Sequence, residues 1–214
     1  MNVELLNPAA EAYAAQFSGA HDELLNEVAV YTYETHPHAH MLSGQVQGKL
    51  LTMLSRMIRP SRILEIGTFT GYSALCLAKG LSSDGLLYTI ELREEDASKA
   101  LNFFNKSTVK DRIKLQVGNA LNIIPALNER WDMVFIDADK TSYIHYYEIV
   151  LPQMNQGGII VADNVLFHGQ VLEEQIAGKN AKAIHAFNEH VKKDNRVEQV
   201  LLTVRDGLML IMKK

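Results

Sequence analysis

Short, continuous apolar runs alternate with segments of helical spacing along the chain from residue 62 onward. Such a run is typical of a parallel strand that is covered on both faces. The runs that predict parallel strands are residues 63–67, 86–91, 113–117, 131–136 and 158–163. The segments that predict helices between them are residues 72–79, a charged stretch from Arg93, residues 141–151 and residues 177–193. The alternation predicts an α/β fold with a doubly wound, mostly parallel sheet.

The amino-terminal part of the chain has a different pattern. Residues 1–58 carry apolar side chains at helical spacing. Pro37 interrupts this pattern because it disfavours helix at the residue before it. Ser43 is a candidate N-cap for the helix that follows. We therefore predict a helical cap in front of the sheet.

The carboxyl-terminal part predicts a hairpin. Residues 197–204 and 208–212 are rich in β-forming side chains, and Asp206-Gly207 lies between them. An Asp-Gly pair between two such runs is a strong hairpin signal. The predicted parallel sheet thus ends in an antiparallel hairpin. The predicted organisation is a single domain over residues 1–214, with the helical cap at 1–58 and the core that contains the sheet at 62–214.

Composition and charge narrow the possible partners. The 214 residues carry a formal net charge of −4, and the sequence pI is about 6.1. This balance predicts no general attraction to nucleic acid or to an anionic membrane. No apolar run approaches the roughly 18 residues of a membrane span, and the first residues lack a secretory pattern. The lone cysteine, Cys76, cannot form an intrachain disulfide, so we expect a cytoplasmic location.

Acidic and amide side chains stand directly after the fourth and fifth predicted strands. Asp137 and Asp139 follow the fourth strand, and Asp163 with Asn164 ends the fifth. Open α/β sheets bind ligands at the carboxyl ends of their strands, and clustered oxygen donors suit a hard cation. Asp137, Asp163 and Asn164 are therefore candidate ligands of Mg²⁺, or of another divalent cation such as Mn²⁺ or Ca²⁺. The alternative is that these side chains cap helices.

Lys140 lies beside this acidic cluster and is a candidate general base. A free lysine titrates near ~10.4, which is too high for a base at neutral pH. A nearby divalent cation and partial burial would lower that pKa. The alternative is a surface lysine that pairs with Asp139 or Glu148.

A glycine-containing turn follows the first predicted strand, at Glu65-Ile66-Gly67-Thr68-Phe69-Thr70-Gly71-Tyr72-Ser73. A turn of this kind lets a ligand approach the backbone closely. It lacks the Gly-x-Gly-x-x-Gly pattern of dinucleotide sites. Glu91 ends the second strand, 24 residues after Gly67, and an acid at about this distance accepts hydrogen bonds from ribose hydroxyls. Ala120 closes the third strand, where a small side chain leaves room for an adenine ring. The alternatives are a plain tight turn and a solvated glutamate.

Three histidines and three tyrosines form two further clusters, which we interpret without a metal or a catalytic role. His36, His38 and His40 alternate along an extended segment. We expect this segment to be a loop over the mouth of the site rather than a transition-metal centre, because no cysteine or acid is nearby. We interpret Tyr143, Tyr146 and Tyr147 as residues that pack a helix, one of which has its ring facing the substrate.

Taken together, these motifs resemble those of a known family. The glycine turn at residues 65–73 is similar to its first cofactor motif. Ile136-Asp137-Ala138-Asp139-Lys140 and Ala162-Asp163-Asn164-Val165 are similar to its metal segments. From about Met41 to the carboxyl terminus, the chain resembles the small metal-dependent O-methyltransferases of the catechol and caffeoyl-coenzyme A type. The resemblance implies S-adenosylmethionine (SAM) as cofactor, a Rossmann-like seven-stranded sheet and a homodimer.

The resemblance also implies a role for each matching residue. Those expected around the amino-acid part of the cofactor are Glu65, Gly67, Thr68 and Ser73. Glu91 would hold the ribose and Ala120 would lie near the adenine, while Asp139 would also contact the cofactor. Met41 and Ser43 belong to a segment that closes over the cofactor in the family. Asp137, Asp163 and Asn164 would bind Mg²⁺, and the candidate catalytic residues are Lys140 and Asp137.

One departure from the family concerns the methyl acceptor. Animal catechol enzymes have a glutamate just before the last hairpin turn, whereas residues 200–205 contain no acid here. The insertion typical of coenzyme A-ester enzymes is not obvious either. We predict Mg²⁺-dependent methylation of a small catechol-like diol.

Other functions stay open at this point. The first alternative is methylation of a hydroxylated uridine in tRNA by the same chemistry. The basic residues available for it are Lys106, Lys110, Arg112 and Lys114. A nucleotide-dependent oxidoreductase is disfavoured by the missing Gly-x-Gly-x-x-Gly pattern. A binding protein without activity would leave Lys140 beside Asp137 and Asp139 unexplained.

Overall fold

Seven strands form one sheet in the computed structural model, which describes residue 5, residues 7–20 and residues 22–214. They are β1 (Arg62–Ile66), β2 (Leu86–Glu91), β3 (Ile113–Val117), β4 (Trp131–Ile136), β5 (Met154–Asp163), β6 (Val197–Leu202) and β7 (Leu208–Lys213). Their order across the sheet is β3-β2-β1-β4-β5-β7-β6. The first five strands are mutually parallel, whereas β7 is antiparallel to both β5 and β6. The predicted fold class, with its terminal hairpin, is confirmed.

Helices precede the sheet and connect its parallel strands. They are α1 (Pro8–Phe17), α2 (Glu23–Thr35), α3 (Gly44–Ile58), α4 (Tyr72–Ala78), α5 (Glu94–Phe104), α6 (Ala120–Leu127), α7 (Tyr143–Val150) and α8 (Lys179–Lys192). The three helices before β1 confirm the helical pattern of the amino-terminal part, of which residues 1–4, 6 and 21 lie outside the described residues. Within the described ranges, no helix is both long enough and apolar enough to cross a membrane.

The sequence pattern did not predict α6. Pro125 lies inside this helix of eight residues, and proline inside a short apolar stretch argues against a helix. The start of the helix carries a signal that is visible in the sequence. Asn119 is its N-cap, and its side chain accepts a hydrogen bond from the backbone N–H of Leu121 at 2.9 Å. Asn119-Ala120 therefore begins a helix as well as following a strand.

Two strand boundaries differ from the prediction by two residues or more. β5 begins at Met154, before the predicted residue 158, and continues through Gly157 with a φ of 75°. Its register against β4 shifts between Trp131 and Met133, so the strand tolerates this irregular glycine. β6 ends at Leu202 rather than at residue 204, because the chain then enters the turn that contains Arg205 with a φ of 50°.

The prediction that Ser43 caps α3 is wrong. Its side chain makes no capping hydrogen bond. An N-cap residue normally has an extended backbone, but Ser43 already has helical angles, with φ −58° and ψ −27°, and Gly44 follows with a φ of 75°. The buried Ser43 instead belongs to the wall of a cavity described below.

Successive residues of β4 enter apolar clusters on opposite faces of the sheet. Met133 and Phe135 pack with residues from α2 to α5, whereas Val134 and Ile136 pack with residues from α6 to α8. All four are fully buried, which explains why the run is apolar without alternation. Cys76 lies in the first cluster, and burial raises the pKa of its thiol to about 12, as expected for a packing residue.

The candidate basic patch makes local contacts. Its members are Lys106, Lys110, Arg112 and Lys114. Lys106 forms an ion pair with Glu27 of α2, and the guanidinium of Arg112 donates to the carbonyl of Ser82 at 2.7 Å. Lys114 donates to the carbonyl of Asp111 at 2.9 Å. Binding of tRNA at this surface stays a prediction.

Candidate active site

The turn between β1 and α4 brings its backbone against the end of β4. Gly67 has a φ of 98°, and a Cβ atom at this residue would lie 1.9 Å from the carbonyl oxygen of Asp137. Gly71 has a φ of 89°, and a Cβ there would lie 2.6 Å from the ring of Phe104. Only glycine fits at either residue, so close packing explains both glycines of the motif.

The carboxylate of Glu91 holds the same turn in place. Its Oε2 accepts hydrogen bonds from the backbone N–H groups of Thr68 at 3.1 Å and Phe69 at 2.8 Å. Its Oε1 accepts one from the N–H of Arg93 at 3.0 Å. A carboxylate has about four lone-pair sites, so Glu91 retains acceptor capacity for a ligand in addition to its structural contacts.

A cavity of about 530 Å³ opens at the carboxyl ends of the parallel strands. Its volume lies in the range of sites that enclose small organic ligands. The predicted cofactor residues that line it are Met41, Ser43, Gly67, Thr68, Ser73, Glu91, Ala120 and Asp139. The structure therefore brings together eight residues that are spread over about half of the sequence.

Glu65 is the one predicted cofactor residue that does not line this cavity. Its side chain is fully buried, and its Oε2 accepts a hydrogen bond from the hydroxyl of Thr89. Its Oε1 has no hydrogen-bond partner among the described residues. Burial raises the pKa of Glu65 to about 8. A buried carboxyl oxygen without a partner has an unmet need for a donor, and a positively charged ligand group nearby would meet it.

Asp139 is held by an aromatic residue that the sequence did not single out for a polar role. The hydroxyl of Tyr146 donates to Asp139 Oδ1, and both residues line the cavity. Burial and this hydrogen bond raise the pKa of Tyr146 above its ordinary range. Tyr146 is thus the aromatic of its group that faces the ligand space.

Asp137 and Asp163 lie at neighbouring strand ends. Ile136 of β4 pairs with Ala162 of β5, so the next residue of each strand is an aspartate. Asp163 is 3% exposed, and its Oδ1 accepts the N–H of Asn164 at 2.6 Å. Burial, together with the negative charge of Asp137, raises the pKa of Asp163 to about 7.

Asn164 is oriented by the hairpin turn. It has a φ of 57°, and its Nδ2 donates to Asp206 Oδ2 at 3.1 Å. The other oxygen of Asp206 accepts the backbone N–H of His168. Because its amide nitrogen is engaged, Asn164 has its amide oxygen available as a ligand.

The donor set fits a hard divalent cation. The negative charge of Asp137 lies close enough to Asp163 to raise the pKa of the Asp163 carboxyl, and a cation between the two carboxylates would relieve this repulsion. Among the described residues, no group of three His, Cys, Asp or Glu side chains is arranged to hold a metal ion. The amide of Asn164 is therefore needed to complete the oxygen donors.

Lys140 lies in a short 3₁₀ turn before α7 and faces the acidic cluster. Its Nζ donates to Asp137 Oδ1 at 2.9 Å and to the hydroxyl of Tyr143 at 2.8 Å. The partner is thus Asp137, and not Asp139 or Glu148. Burial alone lowers the pKa of Lys140, but Asp137 and Tyr143 outweigh it and hold that pKa above its ordinary value. The lowered pKa of Lys140 that the sequence analysis expected would therefore require a cation that balances the charge of the Asp137 carboxylate.

Two residues that the sequence analysis missed connect the site to its surroundings. Gln47 is fully buried in α3, and its Nε2 donates to Asp163 Oδ2 at 2.5 Å. Arg205, in the hairpin turn, donates through Nη1 to the carbonyls of Leu42 at 2.8 Å and Ser43. Gln47 lies in the same segment as Met41 and Ser43, but the sequence analysis assigned no role to it or to Arg205, and the contacts join parts of the chain 116 to 163 residues apart.

The histidine segment has a structural role. His36 is buried, its Nε2 lies 2.9 Å from Asp96 Oδ1, and its Nδ1 accepts the N–H of His38 at 3.1 Å. The segment then leads into Met41, which lines the cavity. None of the three histidines lines the cavity, so a loop over the mouth of the site stays a prediction, and His36 itself points into the protein.

Comparisons with known proteins agree with this arrangement. The profile of the family described as O-methyltransferase matches residues 15–214. The chain is 33% identical to a probable caffeoyl-CoA O-methyltransferase 2 of Dictyostelium discoideum, over 94% of this chain and 90% of that protein. It is 32% identical to a catechol O-methyltransferase of Niastella koreensis, over 78% of this chain and 80% of that protein.

Solved structures show the same fold with the cofactor. The O-methyltransferase TomG of Streptomyces achromogenes, in complex with SAM, has a TM-score of 0.89 and 30% identity, with 96% of each chain covered. The methyltransferase PaMTH1 of Podospora anserina, bound to S-adenosylhomocysteine (SAH), has a TM-score of 0.89 and 30% identity, with 96% of this chain and 94% of that chain covered. The chain belongs to the O-methyltransferase family and is a SAM-dependent O-methyltransferase.

Proposed function

We propose that this enzyme methylates one hydroxyl of a catechol-like vicinal diol, with Mg²⁺ held by Asp137, Asp163 and Asn164 and with Lys140 as general base. The observation that carries the proposal is the meeting of Asp137 and Asp163 at adjacent strand ends beside the Nζ of Lys140. The acceptors named for two relatives, caffeoyl-CoA and catechol, both carry neighbouring hydroxyls. Two such oxygens suit a cation that keeps open coordination positions.

The cavity supports binding of SAM, which supplies an electrophilic methyl group on a sulfonium. Glu91 would accept hydrogen bonds from the ribose hydroxyls, since its carboxylate has acceptor capacity beyond the backbone contacts. Ala120 would leave room for the adenine. The methionine part would extend along Thr68 and Ser73, and its ammonium group would approach the buried carboxyl of Glu65, whose Oε1 lacks a partner. Met41 and Ser43 would cover the cofactor, and Asp139 would contact it.

Mg²⁺ would be held by the oxygens of Asp137, Asp163 and Asn164. When bound, it would supply positive charge that favours loss of a proton from an acceptor hydroxyl. The protein already orients each of these side chains. Lys140 donates to Asp137, the N–H of Asn164 donates to Asp163, and Asn164 donates to Asp206.

Lys140 would accept the proton of the reacting hydroxyl at Nζ. Only the neutral amine can do so, and the carboxylate of Asp137 holds the charged form in place. The charge that a divalent ion would bring to Asp137 would oppose this effect and lower the pKa of Lys140. Tyr143 keeps the amine at the strand ends through its 2.8 Å hydrogen bond. Much of the rate would come from orientation, because donor and acceptor are held by separate sites.

The test is transfer of a labelled methyl group from SAM to a panel of small catechols, with Mg²⁺ or with EDTA. The panel includes monophenols as matched controls that lack the second hydroxyl. We expect transfer to catechols that disappears with EDTA, and little transfer to monophenols. Equal transfer with EDTA would contradict the metal.

A negative result on the whole panel would redirect the search. If SAM binds and no catechol is methylated, the diol is wrong, and tRNA from a deletion strain becomes the next acceptor to analyse by mass spectrometry. The homodimer and the cytoplasmic location stay predictions of the sequence.

A further inference from the structure

The side chain of Gln47 contacts both the candidate metal ligand Asp163 and Arg205 of the hairpin turn. It is fully buried, and its Nε2 lies 2.5 Å from Oδ2 of Asp163, which is itself 3% exposed. At its other end, Oε1 of Gln47 lies 3.5 Å from Nη1 of Arg205. The side chain therefore connects a hairpin residue with a proposed metal ligand.

Arg205 extends this connection to the cavity. Its Nη1 also donates to the backbone carbonyls of Leu42 and Ser43, and both of these residues line the cavity. We call these two residues the wall segment. A continuous set of hydrogen bonds thus runs from the wall segment through Arg205 and Gln47 to Asp163.

The orientation of the Gln47 amide follows from its partners. A guanidinium can only donate, so the atom that faces Arg205 must be the carbonyl oxygen. The amide nitrogen must then face Asp163, where it donates to the carboxylate. A flipped amide would place donor against donor at one end and acceptor against acceptor at the other, so both partners fix the same orientation.

We propose that Gln47 is a positioning residue which couples occupancy of the cofactor cavity to the metal ligand Asp163, so that SAM and the divalent cation bind cooperatively. This rests on the proposed function, because it takes Asp163 as a ligand. A cofactor that orders the wall segment also orders Arg205 and Gln47, and Asp163 then loses less freedom when the ion binds. Cooperativity of this kind needs no large movement.

Coupling of this kind is reciprocal and can be measured without turnover. The probe is Mn²⁺, whose free concentration is read by electron paramagnetic resonance, with and without SAH. In the wild-type enzyme we expect SAH to tighten Mn²⁺ binding about 5-fold or more. In Gln47→Leu, a variant of similar size, we expect Mn²⁺ to bind about 10-fold more weakly, with the effect of SAH reduced below about 2-fold.

A second variant separates the two halves of the connection. Arg205→Met leaves the hydrogen bond between Gln47 and Asp163 intact but releases the wall segment. We expect Mn²⁺ to bind without SAH about as tightly as it binds the wild-type enzyme, while the effect of SAH is lost. The matched control is Thr52→Val, also buried in α3, where the hydroxyl donates to the carbonyl of Gly48 at 2.9 Å. This control should keep both the affinity and the coupling.

Three outcomes would overturn the proposal. The first is that SAH changes Mn²⁺ affinity equally in the wild-type enzyme and in Gln47→Leu. The second is that SAH does not change Mn²⁺ affinity in the wild-type enzyme. The third is that Thr52→Val also loses the effect of SAH on Mn²⁺ affinity. A wild-type enzyme that binds SAH but not Mn²⁺ contradicts the metal site itself, and the coupling with it. A wild-type enzyme that binds both ligands independently contradicts only the coupling.

Discussion

The hydroxyl of Tyr143 lies 2.8 Å from the Nζ of Lys140 and donates in turn to the backbone carbonyl of Asp163 at 2.9 Å. Lys140 is therefore attached to both acidic strand ends. It contacts Asp137, at the end of β4, directly, and it reaches Asp163, at the end of β5, through Tyr143. This double attachment sets the direction from which a base can approach an acceptor held at those strand ends.

Replacement of Lys140 tests the base. Lys140→Ala should reduce kcat at least ~100-fold, the usual contribution of a positioned base, while SAH affinity in calorimetry stays unchanged. Lys140→Arg keeps the positive charge beside Asp137 but cannot accept a proton near neutral pH, so it should lose as much activity as the alanine variant. Unaltered turnover in Lys140→Ala, or full activity in the arginine variant, would remove Lys140 as the base.

Replacement of Asp163 tests the metal site. Asp163→Ala should abolish Mn²⁺ binding in titrations and leave any residual methyl transfer insensitive to EDTA, because the set of oxygen donors is broken. Asp132→Asn is a control at the opposite end of β4, where Asp132 accepts the N–H groups of Ser61 and Arg62 at 2.7 and 3.0 Å. Normal Mn²⁺ affinity in Asp163→Ala would be incompatible with the proposed ligand set.

Asp206 should act on metal affinity through Asn164. Asp206→Ala releases the amide of Asn164 and the backbone of His168, and we expect Mn²⁺ to bind about 10- to 100-fold more weakly. Asp206→Asn keeps one carbonyl acceptor and should lose less. Titration with SAH is the control, because Asp206 does not line the cofactor cavity. An unchanged Mn²⁺ affinity in the alanine variant would show that Asn164 needs no such support.

Glu91 should determine cofactor affinity. Glu91→Gln replaces a charged acceptor of three backbone N–H groups by an amide that cannot accept at both ends. A hydrogen bond to a charged group contributes about 1.5 kcal/mol or more, so SAH should bind about 10-fold more weakly or worse. Glu129→Gln is the control, since Glu129 pairs with Arg62 outside the cavity. Wild-type SAH affinity in Glu91→Gln would exclude the ribose role.

Glu65 should make stability depend on pH. Burial raises its pKa from 4.5 to about 8, so between these values the native state holds a proton that the unfolded chain has released. The free energy of unfolding therefore falls as the pH rises through this window, by up to about 1.4 kcal/mol per pH unit from this group. Glu65→Gln removes the titration, and its free energy of unfolding should fall less steeply. Urea denaturation of both proteins across the window is the measurement, and parallel slopes would contradict the shifted pKa.

Local sequence patterns predicted the strands and the acidic strand ends, because these features depend on residues that are close together in the sequence. The apolar run of β4 reports burial on both faces, and the acidic residues after β4 and β5 must meet because parallel strands end at one edge. The pattern missed α6, where Pro125 opposes the helix signal of Asn119. Local propensity is a weak guide where tertiary packing can override it.

Local sequence patterns could not predict the residues that contact the proposed metal ligand and the wall of the cavity from distant parts of the chain. Gln47 and Arg205 lie in a helix and a turn whose local patterns are explained without them. Their partners are 116 and 163 residues away, and only the folded chain brings them together. The raised pKa of Lys140 has the same origin, because it depends on the distance to Asp137 and on burial rather than on spacing.

The contact between Gly67 and Asp137 has an evolutionary consequence. The turn that faces the methyl donor touches the strand end that carries a proposed acceptor ligand, and this contact is made by main chain on both sides. Point mutations change side chains, so none can widen this contact gradually. Residues 167–172 include neither a proposed ligand nor a part of this contact, so their side chains can change without altering it. Under the proposed function, the distance between the methyl donor and the acceptor would therefore stay the same in related enzymes that differ in their acceptors.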